Sequence, residues 1–257
     1  DYRVALKSGP VAYLVPDREL PLVTISVLVR TGNYLEPEGK EGLASFTGFL
    51  LARGGTESKS AEEMDERLAF LAATLNSSIG DHQGSVSLNL LSKDLAEGLA
   101  ILREVLTKPR FQQDRLDLHR QQAIAAMKQR NDDSTDIEAR ERERLWFGEH
   151  FWACRTDTEA SVNSITRDDL SAFHRKWFHP ANFVLAVSGD FDRADIGAPG
   201  RATIEAVAAE ARRDASLRIR VVGKADREPL LANDPLDPTN RRISIVLLHD
   251  KNPAGSP

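Results

Sequence analysis

The sequence predicts an α+β fold in which a mixed, mainly antiparallel sheet carries long helices packed on one side. Hydrophobic residues make up 41% of the 257 residues, enough for one large core or two modest ones. Several short runs alternate apolar with polar residues, as half-exposed strands do, and longer runs repeat apolar residues at helical spacing. The predicted strands lie on both sides of a long block of helices, and this order is typical of α+β layering.

The predicted strands are short and rich in β-branched residues. The clearest alternation places Val86, Leu88 and Leu90 between polar residues, which indicates a strand with one exposed face. The predicted strands are residues 4–6 and 11–15, joined as a hairpin around Ser8-Gly9, and residues 22–29, 85–91 and 183–188.

The predicted helices carry one apolar stripe each. Ser60 and Glu63 form a capping box, which opens a helix with Met64, Leu68, Leu71 and Leu75 on one side. Pro109 ends the helix that precedes it. The other predicted helices are residues 42–52, 94–107, 113–130 and 137–147, and one that begins at Thr166.

The character of the chain changes after Asp195. Gly197-Ala198-Pro199-Gly200 is typical of a break between domains. A helix over 202–213 and strands over 217–222 and 241–248 are predicted beyond it, with a loop rich in Pro and Asp between the strands. The sequence therefore predicts two regions, residues 1–195 and residues 196–257.

Composition excludes several classes of protein. The net charge of −5, without a segment of clustered Lys and Arg, argues against a nucleic-acid partner. No run approaches the roughly 20 apolar residues of a transmembrane helix, so we predict no transmembrane segment. A single cysteine, Cys154, excludes both an intrachain disulfide and a zinc knuckle built on cysteines.

Residues 41–56 read Glu-Gly-Leu-Ala-Ser-Phe-Thr-Gly-Phe-Leu-Leu-Ala-Arg-Gly-Gly-Thr. In the inverted zincins an H-x-x-E-H run on a helix sets two imidazoles on one face, with a general-base carboxylate beside them. The residues around the corresponding positions resemble the pitrilysin/insulinase family of metallopeptidases, which includes the mitochondrial processing peptidases. Further matching pieces lie, in the same order, at residues 29–32, 107–111, 178–182 and 187–190.

The resemblance implies that residues 1–195 form one half-clam domain of this family, without its zinc site. Ser45, Gly48 and Phe49 stand where the histidines and the glutamate would be. The third ligand of the family, a glutamate about 76 residues downstream by resemblance, falls near Met127. Neither catalytic residues nor metal ligands are predicted, so the chain is expected to need no cofactor and to be inactive as a peptidase on its own.

Two of these residues have structural explanations. Gly48 costs roughly 1 kcal/mol relative to Ala inside a helix, which indicates close packing against a sheet. Phe49 is expected to fill the space of the metal and its water. No two of the six histidines have helical i, i+4 spacing, and His174 and His179 are expected to be a surface group and a turn residue.

The resemblance implies a non-catalytic subunit that pairs with a zinc-bearing subunit of the same family. The exposed sheet edge and a wall containing Thr24, Ser26 and residues 85–91 would hold an extended peptide substrate by strand addition.

The tail supports an alternative from another class. Residues 200–248 resemble the closing half of an OmpA/MotB-type domain, so residues 196–257 are predicted to be an incomplete copy of it. In that family an arginine binds peptidoglycan, and Arg201 is placed like it. The alternative is therefore an envelope protein anchored to peptidoglycan, and the resemblances together imply a bacterial periplasmic or envelope location.

Overall fold

The computed structural model describes residues 3–5, 11–148, 151–192, 218–223 and 243–248, with side chains in 12–148 and 151–192. Contacts divide the chain into two compact units, Asp1–Ala208 and Ala209–Pro257. No helix within the described ranges is long and apolar enough to span a bilayer.

The described part of the first unit contains a six-stranded sheet in the order β1-β2-β6-β3-β5-β4. Strand β6 pairs in parallel with β2, and every other neighbouring pair is antiparallel. Strand β6 therefore lies between β2 and β3, although it comes last along this part of the chain. The strands are β1 (Arg3–Ala5), β2 (Val11–Pro16), β3 (Leu22–Val29), β4 (Thr74–Ile79), β5 (Gly84–Leu91) and β6 (Phe183–Gly189).

One face of this sheet is buried and the other is open. Val23, Ile25, Val27 and Val29 of β3 are buried, whereas the residues between them are exposed or half-buried. The same alternation runs through β4 and β5. The buried side packs on the helices, so the predicted α+β class with a mainly antiparallel sheet is confirmed.

Seven α-helices lie in the described part of this unit, and α1 is central among them. It contacts α3, α4 and α7 as well as β4 and β5. The helices are α1 (Leu43–Arg53), α2 (Ala61–Phe70), α3 (Leu95–Thr107), α4 (Gln113–Gln129), α5 (Ser134–Phe147), α6 (Glu159–Ser164) and α7 (Arg167–Trp177).

Local side-chain bonds explain where several helices begin. The Ser60 hydroxyl accepts a hydrogen bond from the Glu63 amide, and the Glu63 carboxylate accepts one from the Ser60 amide, so the predicted capping box is present. Thr166 and Asp169 form the same arrangement at α7. The Asp133 carboxylate caps α5, which therefore begins three residues before the predicted start at residue 137.

One predicted helix is shorter than expected, and two elements were not predicted. The helix that begins after Ser60 ends at Phe70, and Leu75 lies not on it but in the edge strand β4, which was not predicted. The chain reverses at Ala72, where φ is 48°, an unusual conformation for a residue other than glycine. The short helix α6 was not predicted either.

The described part of the second unit is an antiparallel pair, β7 (Arg218–Gly223) with β8 (Ile243–Leu248). Both were predicted as strands, within two residues of these bounds. The predicted break at residues 197–200, the helix over 202–213 and Arg201 lie outside the described residues. The likeness to an OmpA/MotB-type domain stays a prediction.

Candidate functional site

Helix α1 carries three of the four positions that the sequence analysis singled out. The N-cap residue of this helix, Gly42, has no side chain that could accept a hydrogen bond from the first amides. Instead, the Glu36 carboxylate accepts hydrogen bonds from the amides of Ala44 at 2.7 Å and Gly42 at 3.2 Å. Ser45 follows on the first turn, exposed to solvent. A lone hydroxyl in water is a poor zinc ligand, because zinc in proteins prefers thiolate, imidazole and carboxylate donors.

Gly48 lies against the backbone of β4. A Cβ added to it would be 2.3 Å from the Ile79 nitrogen and 2.7 Å from the Ser78 carbonyl carbon. Ser77 links the two elements, because its buried hydroxyl donates to the Gly48 carbonyl at 2.5 Å and accepts from the Ala52 amide at 2.9 Å. The predicted close packing of Gly48 against the sheet is confirmed. A catalytic carboxylate does not fit here without moving β4.

Phe49 stacks on a histidine that the sequence analysis set aside. The rings of Phe49 and His119, on α4, are 3.7 Å apart between centroids and nearly parallel, with an interplanar angle of 5°. The Arg53 guanidinium lies 4.5 Å from the centre of the Phe49 ring. Burial lowers the pKa of His119, and the nearby Arg53 lowers it further. The space beside Phe49 thus holds a neutral, stacked imidazole and a cation.

The fourth position, Met127, is half-buried on α4 and packs against the hydrophobic core. A thioether is a soft, neutral donor and not a usual zinc ligand. Within the described residues, no group of three or more His, Cys, Asp or Glu side chains is arranged to hold a metal ion. The residues at these four positions do not fit a catalytic zinc ion.

The expectation for His174 was wrong. Its side chain is buried, 5% exposed, between the rings of Phe111 and Phe178, with Nε2 at 3.2 Å from the Leu106 carbonyl oxygen. Burial lowers its pKa to about 4. His179 precedes a 3-10 turn, as expected, but it is also fully buried. Both histidines belong to the core.

An open pocket of about 350 Å³ lies beside the start of α1. Glu36 and Ser45 line it, together with residues of α5 and of the segment 152–157. Burial raises the pKa of Glu36 to about 7, although its two amide hydrogen bonds and Arg155 act in the opposite direction. The sequence analysis could not find this pocket, because its walls come from three segments far apart in the sequence, within residues 33–45, 140–144 and 152–157.

The open face of the sheet carries small polar side chains. Thr24 and Ser26 lie there beside alternate residues of β5, and the Asn89 side-chain amide donates to the Thr24 hydroxyl at 2.8 Å. Thr24, Ser26 and the alternate residues Ser85, Ser87 and Asn89 of the predicted wall therefore lie together on one surface, whereas Val86, Leu88 and Leu90 of the same predicted range are buried on the other face. Strand β4 forms the edge of this surface, with β5 as its one partner in the sheet.

The chain matches two family models. The model described as "Insulinase (Peptidase family M16)" matches residues 13–145, and the model described as "Peptidase M16 inactive domain" matches residues 164–197. Among curated relatives, the chain is 26% identical over 172 residues to the non-peptidase homolog YmxG of Helicobacter pylori, covering 66% of this chain and 40% of that protein. It is 25% identical over 186 residues to an uncharacterized zinc protease of Mycobacterium leprae, covering 71% and 42%.

Solved protein structures are also similar to this chain. A peptidase M16 inactive domain from Pseudomonas fluorescens superimposes with a TM-score of 0.72 at 25% identity, covering 80% of this chain and 50% of that one. Pitrilysin gives a TM-score of 0.67 at 16% identity, covering 80% and 23%, and this shows the fold alone. The chain spans less than half the length of the two curated relatives above. Because the insulinase model matches just over half of the chain, the protein belongs to the insulinase family, peptidase family M16.

Proposed function

We propose that this chain is a zinc-less member of the family, which binds an extended peptide and pairs with a zinc-bearing subunit. The observation that carries the proposal is the packing at α1. The backbone of β4 occupies the place of a side chain at Gly48, and the ring of His119 stacks on Phe49. The helix is adapted to packing at the positions where a peptidase needs ligands and a base.

Catalysis by metal is unsupported by these residues. A zinc peptidase needs three protein ligands, an open position for water and a group that accepts the proton of that water. Ser45, Gly48 and Phe49 provide a hydroxyl, a hydrogen atom and a phenyl ring. The proposed function therefore uses the binding surfaces of the domain and leaves the chemistry to a partner.

Peptide binding is supported by the edge strand. An outermost strand presents unpaired amide and carbonyl groups on its free side, and an extended peptide can pair with them as an additional strand. Strand β4 is such an edge, and the open face with Thr24 and Ser26 adjoins it through β5. Small polar side chains there leave room for a peptide to lie flat.

A protein partner is supported by an apolar patch on α5. Leu145, Trp146 and Phe147 are 85%, 72% and 54% exposed, and no residue of this helix is buried. Consecutive large apolar side chains in water favour a protein interface, where aromatic residues are enriched. We assign this patch to the contact with the zinc-bearing subunit.

Calorimetry with zinc tests the first half of the proposal. The 257-residue chain is expected to take up no zinc at a stoichiometric tight site, and a tight site would show that the ligands lie elsewhere.

Co-purification with a zinc-bearing family member tests the second half of the proposal, the pairing. The wild type should change that enzyme's rate on a peptide, and Trp146→Ser should weaken the pairing. A chain that neither pairs with the enzyme nor alters its rate would contradict the proposal.

Anchoring to peptidoglycan, with the envelope location that it implies, stays a second prediction from the sequence. It rests on the tail and on Arg201, which lies outside the described residues. Retention of the chain on purified peptidoglycan, lost on Arg201→Ala, would favour this function over the first. Equal retention of both proteins would remove Arg201 from it.

A further inference from the structure

The pocket beside the start of α1 is lined by arginines from two separate segments. Arg140 and Arg144 lie one turn apart on α5, and Arg155 comes from the segment that follows the 3-10 turn Trp152–Cys154. Asp157, in the same segment, is bound by Arg130 through a 2.6 Å ion pair, which fixes this wall of the pocket. The segment that carries Arg155 is therefore tied to the end of α4.

The three guanidinium groups differ in how far they are already engaged. Arg140 is oriented by the Asn131 side chain at 2.5 Å, and Arg144 has a single 3.3 Å contact with Glu141 on its own helix. The Arg155 backbone amide donates to the Trp152 carbonyl at 3.2 Å, but its guanidinium has no hydrogen bond or ion pair with any of the residues that the structure describes. Arg155 is half-buried and lines the pocket. Its charge acts on the nearby Glu36 carboxyl, but the N–H donors of its guanidinium are available to a ligand.

The acidic residues of the pocket do not cancel this charge. Asp157 forms an ion pair with Arg130, a residue outside the lining. The Glu36 carboxyl accepts hydrogen bonds from the amides at the start of α1. Burial also raises the pKa of Glu36 to about 7, so that it carries only part of a charge near neutral pH. Arg144 is paired with Glu141 on its own helix, so Glu143 is left against Arg140 and Arg155, and positive charge exceeds negative charge in the pocket when Glu36 is protonated.

The pocket lies at the end of the edge strand. Asn33, which lines it, donates from its backbone amide to the Gly80 carbonyl at 3.1 Å and from its side chain to Asp81. Gly80 directly follows the last residue of β4. Trp152 adds an aromatic wall and touches His82 edge-on, with centroids 5.0 Å apart. A peptide paired with β4 would reach this pocket where the strand ends.

We propose that the pocket binds a carboxylate of the extended peptide, on Arg155, with Arg140 and Arg144 in the same lining. The guanidinium fork matches a carboxylate in a bidentate manner, and such charge-assisted bonds are stronger than neutral ones. The carboxylate belongs to an acidic side chain or to the free C-terminus of the peptide. This inference rests on the proposed peptide-binding function and gives it a specificity.

Fluorescence anisotropy with three labelled peptides of one extended, apolar sequence tests the inference. The first has an amidated C-terminus and no acidic residue, the second differs by one internal Glu, and the third differs by a free C-terminal carboxylate. The wild type should bind the second or the third about tenfold or more tightly than the first. Which of the two gains affinity identifies the source of the carboxylate.

Two variants assign the gain to the pocket. Arg155→Gln should reduce the affinity for the acidic peptide to that of the neutral one, and Arg144→Gln should reduce it in part. Arg175→Gln is the matched control, because it removes the same charge from an exposed site on α7, outside the pocket. Its affinities should equal those of the wild type.

The outcomes separate this inference from the proposed function. If the wild type binds all three peptides equally, or the gain survives both pocket variants, the carboxylate site is wrong while peptide binding stands. If no peptide binds, peptide binding itself is contradicted, and the inference falls with it.

Discussion

The two ends of α1 have opposite surroundings. Its later turns are enclosed, with Gly48 against the backbone of β4 and Phe49 against His119. Its first turn opens onto a charged pocket, with Ser45 exposed and Glu36 bound to the amides. The difference shows that a helix can lose the space for metal chemistry at one end and keep an accessible, polar surface at the other. The following predictions test how far this contrast holds.

The largest effect is expected at the open end. Glu36 has a pKa of about 7 in the folded chain, against its ordinary value of 4.5. The folded state thus binds more protons than the unfolded state between these values, and stability falls as the pH rises through them. Glu36→Gln removes the charge and keeps one of the two acceptor oxygens, so it loses one of the two amide bonds, the longer one to Gly42. It should be more stable than the wild type by about 2–3 kcal/mol at about pH 8, and similar or slightly less stable near the lower value.

Urea denaturation over this pH range measures the difference between Glu36→Gln and the wild type. The difference is needed because His174, whose pKa burial lowers to about 4, acts with the opposite sign: its contribution to stability is lost as the pH falls below 6.5. Glu38→Gln, at an exposed neighbouring residue, is the control. If Glu36→Gln were no more stable than the wild type at about pH 8, the open end would not carry the buried carboxyl described above.

At the enclosed end, Phe49→Ala removes the ring that stacks on His119. Loss of a half-buried phenyl group and its aromatic contact should reduce stability by about 2 kcal/mol. Water would also reach His119, so its lowered pKa should rise toward 6.5. Denaturation and an NMR titration of the imidazole measure the two changes. Phe49→Leu, which keeps most of the volume, should move both less, and an unchanged pKa in Phe49→Ala would argue against the stack.

The contact of Gly48 with β4 predicts a change whose sign opposes helix propensity. Alanine favours a helix by roughly 1 kcal/mol over glycine. At Gly48 its Cβ would meet backbone atoms, so Gly48→Ala should instead destabilise the chain by about 1–2 kcal/mol.

Gly98→Ala on α3 is the matched control for this contact. A Cβ at Gly98 would meet the tip of the Leu90 side chain, which can move, so Gly98→Ala should be close to neutral. Urea denaturation compares the two variants. If Gly48→Ala were the more stable of the two, α1 would not be locked against β4.

The smallest effect is expected on α5, the least buried helix. Trp146→Ser should change the stability of the isolated chain by less than about 0.5 kcal/mol. The ring is exposed, and the Arg142 guanidinium lies as far as 5.8 Å from its centre. Thermal denaturation of the isolated chain measures this. A much larger loss would mean that the chain itself covers the patch, and the surface would then be unavailable to a partner.

Features that depend on neighbouring residues could be predicted from the sequence. The capping boxes of α2 and α7 are formed by side chains three residues apart, and the alternation of β5 is visible in its own letters. The close packing of Gly48 could also be predicted, because a glycine inside a helix lowers helix stability and therefore needs a structural reason.

Features that depend on distant residues could not be predicted. Leu75 continues the apolar stripe of α2, and Ala72 gives no turn signal, so β4 was hidden. The stack of Phe49 on His119 joins residues 70 positions apart, and spacing alone does not bring them together. The arginines of α5 and Arg155 come from separate segments, and nothing in their spacing indicates that they line one pocket.

The position of β6 has a consequence for biosynthesis. This strand is the last of its sheet to be translated. It lies between β2 and β3 in the sheet and pairs with both, so these two consecutive strands are hydrogen-bonded into one sheet through β6. Strand β2 therefore has no β6 to pair with until more than 150 further residues have been translated. Closing so long a loop is slow. We therefore expect ribosome-stalled chains that end before Phe183 to be cut readily by protease, and chains that expose β6 fully to become resistant.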